Sequence, residues 1–139
     1  MRVVATFALI LFVGLSSFAQ GEKPQFKFEK ETINYGKIYL GSNGVRVFEF
    51  TNIGKSPLII TRIQTSCDCT VPKRPNEPIM PGEKGKIEVA YDTKKPGGFS
   101  KAITIYSNAK NPRKMIKIRG YVERVSAPEK KKSMLSDDN

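Results

Sequence analysis

The chain reads as an all-β sandwich behind a secretory leader, and three observations predict it. Seven or so short apolar runs follow one another at the spacing of strands and turns, and several of them alternate with period 2. Between them stand Gly, Pro and Asn clusters, the residues that turns require. No helical period of useful length and no internal repeat occurs in the 139 residues.

The leader comes first. Met1-Arg2 is a short basic start, Val3 to Leu15 is apolar, and Ser17-x-Ala19 is the small-residue pair at which a signal peptidase cuts. Residues 1–20 are therefore expected to be a signal peptide cleaved near Ala19 or Gln20. The apolar run is broken by Thr6 and Gly14 and is shorter than the ~20 residues a membrane anchor needs. Once the leader is removed, no membrane-spanning segment is expected. Cleavage leaves about 120 residues, the size of one domain, predicted over residues 24–125.

Within it, Gln25–Glu29 alternates apolar and polar as a half-buried strand does. Thr32–Ile38 is a second strand, interrupted by Gly36 and so expected to bulge. After the Gly41–Gly44 turn, Val45–Thr51 places Phe48 and Phe50 on one face. Asn52–Pro57 supplies turn chemistry, and Leu58–Ile63 is nearly continuous and β-branched, as in a central strand covered on both faces. From Val71 to Pro78 three prolines, Pro72, Pro75 and Pro78, rule out a central strand and predict a long irregular connection. Lys86–Tyr91, Phe99–Tyr106 and Met115–Val122 complete the strands, with Lys94–Gly98 a basic loop between the first two. The predicted core is Phe28, Phe48, Phe50, Ile60, Val89, Tyr91, Ile103, Ile105, Ile116 and Ile118. Residues 126–139 are rich in Lys, Ser, Asp and Pro with little apolar content and read as a disordered charged tail.

Charge and missing residue types bound the function. The formal charge is +11, and losing the leader removes only Arg2, leaving +10 with 23 basic against 13 acidic residues. An exported cation of this size is drawn to an envelope protein or to an anionic surface or glycan, and export separates it from nucleic acid. The chain has no His, which removes Ser-His and Cys-His nucleophile pairs and the common zinc sets. It also lacks G-x-S-x-G and H-E-x-x-H, so no enzyme is expected.

What remains is Ser66-Cys67-Asp68-Cys69-Thr70, which holds the only two cysteines. Three readings stand side by side. An oxidising compartment favours a disulfide, either within the pair or between molecules. In a regular strand the two Cα atoms would lie ~6.5 Å apart, near the upper limit for a bridge, so closure needs a bend. The chain-entropy model credits so small a loop with ~1.6 kcal/mol. Alternatively Cys67 and Cys69 bind a soft metal such as Cu(I), with Met80 as a thioether donor if the connection folds back. In the third reading they are small apolar residues at a strand end. No other cofactor is implied. The Asp68, Thr70, Pro72, Lys73 and Arg74 stretch is the candidate interaction loop.

A resemblance supplements this reading. Phe48-Glu49-Phe50-Thr51-Asn52-Ile53-Gly54, then Pro57-Leu58-Ile59-Ile60, Ser66-Cys67-Asp68-Cys69-Thr70-Val71-Pro72 and Pro81-Gly82-Glu83 stand in a distinctive order. So do Gly97-Gly98-Phe99-Ser100-Lys101 and Ser107-Asn108. Together they resemble a bacterial family known as domain of unknown function 1573, related in fold to Hydin-like and major-sperm-protein-like domains. The resemblance runs from about Phe28 to Val122. It implies an immunoglobulin-like sandwich in an exported bacterial protein and no established activity. That family most often has Gly between the cysteines, where this chain has Asp68, whose carboxylate raises neighbouring thiol pKa values. The expectation is a periplasmic or secreted, non-enzymatic interaction or accessory module, with a redox-active or copper-handling Cys67/Cys69 pair as the alternative.

Overall fold

The computed structural model of the chain describes residues 21–128. The leader, and the tail from residue 129 onward, lie outside them. Eight strands form two four-stranded sheets: β1 (Phe26–Phe28), β2 (Thr32–Leu40), β3 (Val45–Asn52), β4 (Ile60–Thr65), β5 (Thr70–Lys73), β6 (Lys84–Tyr91), β7 (Gly97–Ser107) and β8 (Arg113–Ser126). Sheet A has the order β1-β3-β6-β5 and sheet B the order β2-β8-β7-β4. All pairings are antiparallel except β2 with β8. The expected all-β, immunoglobulin-like sandwich is what the chain forms.

Alternation builds the core. On β6 Ile87, Val89 and Tyr91 are buried between exposed Lys86 and Glu88, and on β8 Ile116 and Ile118 flank exposed Lys117. Nine of the ten predicted core residues are buried; Phe28 is half-buried, stacking its ring on Phe26 and meeting Phe50 at a tilt. Tyr35, Leu58, Ile79 and Phe99 also belong to the core. Leu58 and Ile79 lie in irregular segments, where no period marks an inward face, and they bond to each other's backbone at 2.8 and 2.9 Å.

Gly36 does break β2. The register with β8 shifts between Asn34 and Lys37, Gly36 takes a φ of 66°, and the Asn34 carboxamide oxygen accepts its N–H at 3.0 Å. At Gly85 a Cβ would fall 2.3 Å from the Phe50 ring, so the glycine makes room for its cross-strand partner.

Three expectations need correction. Leu58–Ile63 is not a central strand: β4 is the edge of sheet B, with Ile60 buried but Thr61 and Arg62 exposed. The apolar run misled because Ile59, 45% exposed, points outward between inward Leu58 and Ile60. Thr70–Lys73 is not irregular but a short edge strand on β6, and this is the eighth strand. Proline is tolerated there because an edge has one unpaired side. Gly97 and Gly98 belong to β7 rather than to the basic loop, Gly97 entering the strand at a φ of 114°.

Candidate functional site

The Cys67–Cys69 stretch is the place where the chain leaves one sheet for the other. The last bond to sheet B is from Ser66 N–H to Ala102 O, at 3.2 Å. The first to sheet A is from Asp92 N–H to Cys69 O, at 2.9 Å. Between them the Thr65 hydroxyl donates to Cys67 O at 3.0 Å, and Thr70 N–H closes a turn on the same oxygen at 3.4 Å. The turn supplies the bend that a regular strand lacks. The Cα atoms of Cys67 and Cys69 come to 5.3 Å, inside the range for a bridge, and the structure joins them as a disulfide.

The surroundings are half apolar and half open. Cys69 packs on the core, Cys67 is partly exposed, and Asp68 stands in solvent at the apex. The buried Thr70 hydroxyl lies 3.7 Å from Cys67 Sγ and 3.9 Å from Cys69 Sγ. With the sulfurs bonded, the hydroxyl is the group with a proton to give. Beneath the turn Thr70 pairs with Tyr91, whose ring stacks on Phe99 at 3.8 Å and meets Tyr35 edge-on. Burial pushes the Tyr91 and Tyr35 phenols above their ordinary value. Tyr35 donates to Gly44 O at 2.8 Å, and the Arg46 guanidinium over its ring opposes part of the rise.

The candidate loop residues separate in space. Asp68 is the turn, whereas Thr70, Pro72 and Lys73 lie in β5, with Thr70 only 2% exposed and closed to any partner. Arg74 reaches back across the sheets, its guanidinium donating to Ile60 O on β4 at 2.9 Å. Met80 follows Ile79, whose bridge to Leu58 lies before the start of β4, whereas the cysteines follow its end. The structure does not bring Met80 to the sulfurs. Sequence reading missed Thr65, Asp92 and the Arg74 tie, since each acts through backbone geometry that no residue pattern marks.

The family described as "Protein of unknown function (DUF1573)" matches residues 26–122. The chain belongs to the DUF1573 family. That span contains every strand from β1 through most of β8, and the cysteine crossover with them. Among solved structures, this DUF1573 chain is similar to a protein of unknown function from Porphyromonas gingivalis W83, with a TM-score of 0.65 at 17% identity, over 78% of this chain and 51% of that one. It thus spans about half the length of that protein. An ASH/PapD-like domain of human CEP192 is similar with a TM-score of 0.57 at 6% identity, over 76% of this chain and 88% of that one. So is the CsuC–CsuE chaperone–tip adhesion subunit pre-assembly complex of Acinetobacter baumannii, with a TM-score of 0.52 at 16% identity, over 70% and 57%. At such identities the likeness is one of fold. No curated protein matches the DUF1573 chain.

Proposed function

We propose that the chain is an exported, non-enzymatic interaction module of a bacterial cell envelope, periplasmic or secreted, which binds another envelope protein through its sheet edges. The observation that carries this reading is that both sheets are open and only partly covered at their edges. β1 pairs with just Phe50–Asn52 of β3, and β4 with Ile103–Ser107 of β7. Unpaired backbone along an edge is a ready template for a strand from another chain. The likeness in fold to a chaperone–subunit complex supports the same reading, as does the excess of positive charge.

Cross-linking of the mature, tagged protein in its native envelope, followed by purification, tests it. A discrete partner at fixed stoichiometry is expected. Recovery of the uncross-linked protein alone, or of full-length chain with its leader in the cytoplasm, would overturn it.

A second reading rests on the partly exposed disulfide beside the Thr70 hydroxyl. A dithiol reductant would take up the bond between Cys67 and Cys69, becoming a disulfide itself and leaving two thiols whose thiolates suit Cu(I). Alkylation with and without prior mild reduction, in the presence and absence of Cu(I), separates the two. Unchanged labelling by Cu(I) after reduction removes the copper-handling role.

A further inference from the structure

β7 runs for eleven residues and pairs with β8 from Gly97 to Tyr106. On its other side β4 stops opposite Ile103, and the last bond is the one from Ser66 to Ala102 O. There the chain turns away into the cysteine crossover. Gly98–Lys101 are left with a neighbour on one side. In an antiparallel ladder alternate residues turn their N–H and C=O to the same side. Ala102 faces β4, so Ser100 and Gly98 face that way too. Both are exposed, and among the described residues no hydrogen bond reaches their outward backbone groups.

The other edges are interrupted in part. On β3 the open half is capped on both sides of Val47, with Glu49 O taken by Glu29 N–H, Val45 N–H by the Asn43 side chain and Val45 O by the Arg46 guanidinium. Along β5, Pro72 has no N–H and the Thr70 N–H is spent on Cys67 O. β2 is bulged at Gly36, and Ile60 O on β4 is held by Arg74. The β7 segment has neither proline nor bulge.

The charge around it has one sign. The strands of sheet B carry eight Lys or Arg, one each on β2, β4 and β7 and five on β8, against a single carboxylate, Glu123. Of the eight, Lys114 alone is ion-paired among the described residues, to Glu31. Arg119 stands opposite Ser100 and Lys117 opposite Ala102, both exposed on the outer face because Ile116 and Ile118 point inward. The floor between them and the open edge is small: Gly98, Ser100 and Ala102. A strand added beside β7 would lie two spacings, ~10 Å, from β8, a gap that an extended Arg or Lys and a Glu can close together.

We propose that the open half of β7 takes an extended acidic peptide as an added strand in line with β4, held by the Gly98 and Ser100 backbone and by Lys117 and Arg119. The proposal rests on the interaction reading above and names its partner chemistry. Carboxylates at alternate positions would lie on the outer face beneath these cations, with apolar residues on the inner side near Phe99.

Fluorescence anisotropy of the full mature protein with a labelled octapeptide of alternating glutamate and valine tests it. Dextran sulfate serves as a polyanion without a peptide backbone, and the lysine–valine peptide as the charge control. The glutamate peptide should bind and the lysine peptide should not. The double variant Lys117→Glu, Arg119→Glu should weaken binding about tenfold or more at low salt. Ser100→Pro removes an edge N–H on the side away from β8, and should weaken the peptide about as much while leaving any dextran sulfate binding unchanged. If that variant does not fold, N-methylation of alternate peptide residues makes the same deletion from the other partner and should abolish binding. Equal binding of methylated and unmethylated peptide, or of the charge-reversed and parent proteins, overturns the proposal. So does no binding at all, and dextran sulfate binding alone makes the face a general polyanion surface. An envelope partner retained regardless of Ser100, Lys117 and Arg119 would leave the interaction reading standing and this edge refuted. Peptide binding without any envelope partner would do the reverse.

Discussion

Asn52 shows how much one side chain can organise. It ends β3 and precedes Ile53-Gly54, so its residue type reads as turn chemistry, yet it is fully buried. Its amide donates to Ser56 O at 2.8 Å and Ile79 O at 2.9 Å, and its oxygen accepts from Gly54 N–H at 3.0 Å and Gln25 N–H at 3.3 Å. Four backbone groups from three segments thus find their partners in one carboxamide. Asn52→Ala strands them in a closed site, and chemical denaturation should show a loss of about 2–3 kcal/mol. A loss below about half a kcal/mol would mean that water replaces the amide. Tyr35 makes a second prediction at this scale. Burial raises its phenol above the ordinary value, so the folded state holds a proton that the unfolded chain releases above pH ~10. Stability is fully present below that pH and is lost as pH rises through the raised folded value. Tyr35→Phe should cost about 1 kcal/mol at neutral pH through the bond to Gly44 O, and should flatten the fall in stability at alkaline pH. Identical alkaline slopes would show that Tyr35 does not titrate in that range.

At the scale of the element, the cysteine crossover is better understood as a hinge between sheets than as a staple. Its loop is so short that the chain-entropy model allows ~1.6 kcal/mol for the bond. Thr65, Thr70 and Asp92 tie the same turn without it. Replacing both cysteines by Ser should therefore lower stability by about 1–2 kcal/mol without unfolding the domain. The faster amide exchange should be confined to residues near Ser66–Thr70 rather than spread through β6 and β8; global acceleration would make the bond a true staple. The crossover also marks where the sequence stops being legible. Strands such as β3, β6 and β8 announce themselves, because alternation reports directly which side chains face inward. The partner and position of a strand in its sheet are not written locally. Leu58–Ile63 reads as central until Ile59 is seen to point outward, and Thr70–Lys73 reads as loop because Pro72 masks an edge strand. The cysteine pair itself was legible as a site, but the tie from Arg74 to Ile60 O exists only once both sheets are built.

For the whole molecule, the two sheets differ in charge more than composition suggests. Sheet A carries five Lys or Arg on its strands against Glu49 and Glu88. Two of its lysines are paired, Lys84 with Glu29 at 3.5 Å and Lys86 with Glu49 at 3.4 Å. Sheet B holds eight against one, and two of its guanidiniums lie over an aromatic ring, Arg62 4.3 Å from the centre of Tyr106 with Arg113 at 5.9 Å. Among the described strands the positive charge is thus not a uniform coat but is concentrated over sheet B, and it should steer how the molecule meets a charged surface. Exposed ion pairs add little to stability, so reversing two charges on either sheet should leave unfolding nearly unchanged. Retention on a cation exchanger should separate them. Lys117→Glu with Arg119→Glu should elute at clearly lower salt than Lys84→Glu with Lys86→Glu, although both pairs change net charge equally. Equal elution would mean that total charge alone governs the encounter. It would also remove the electrostatic half of the argument for an acidic strand at β7.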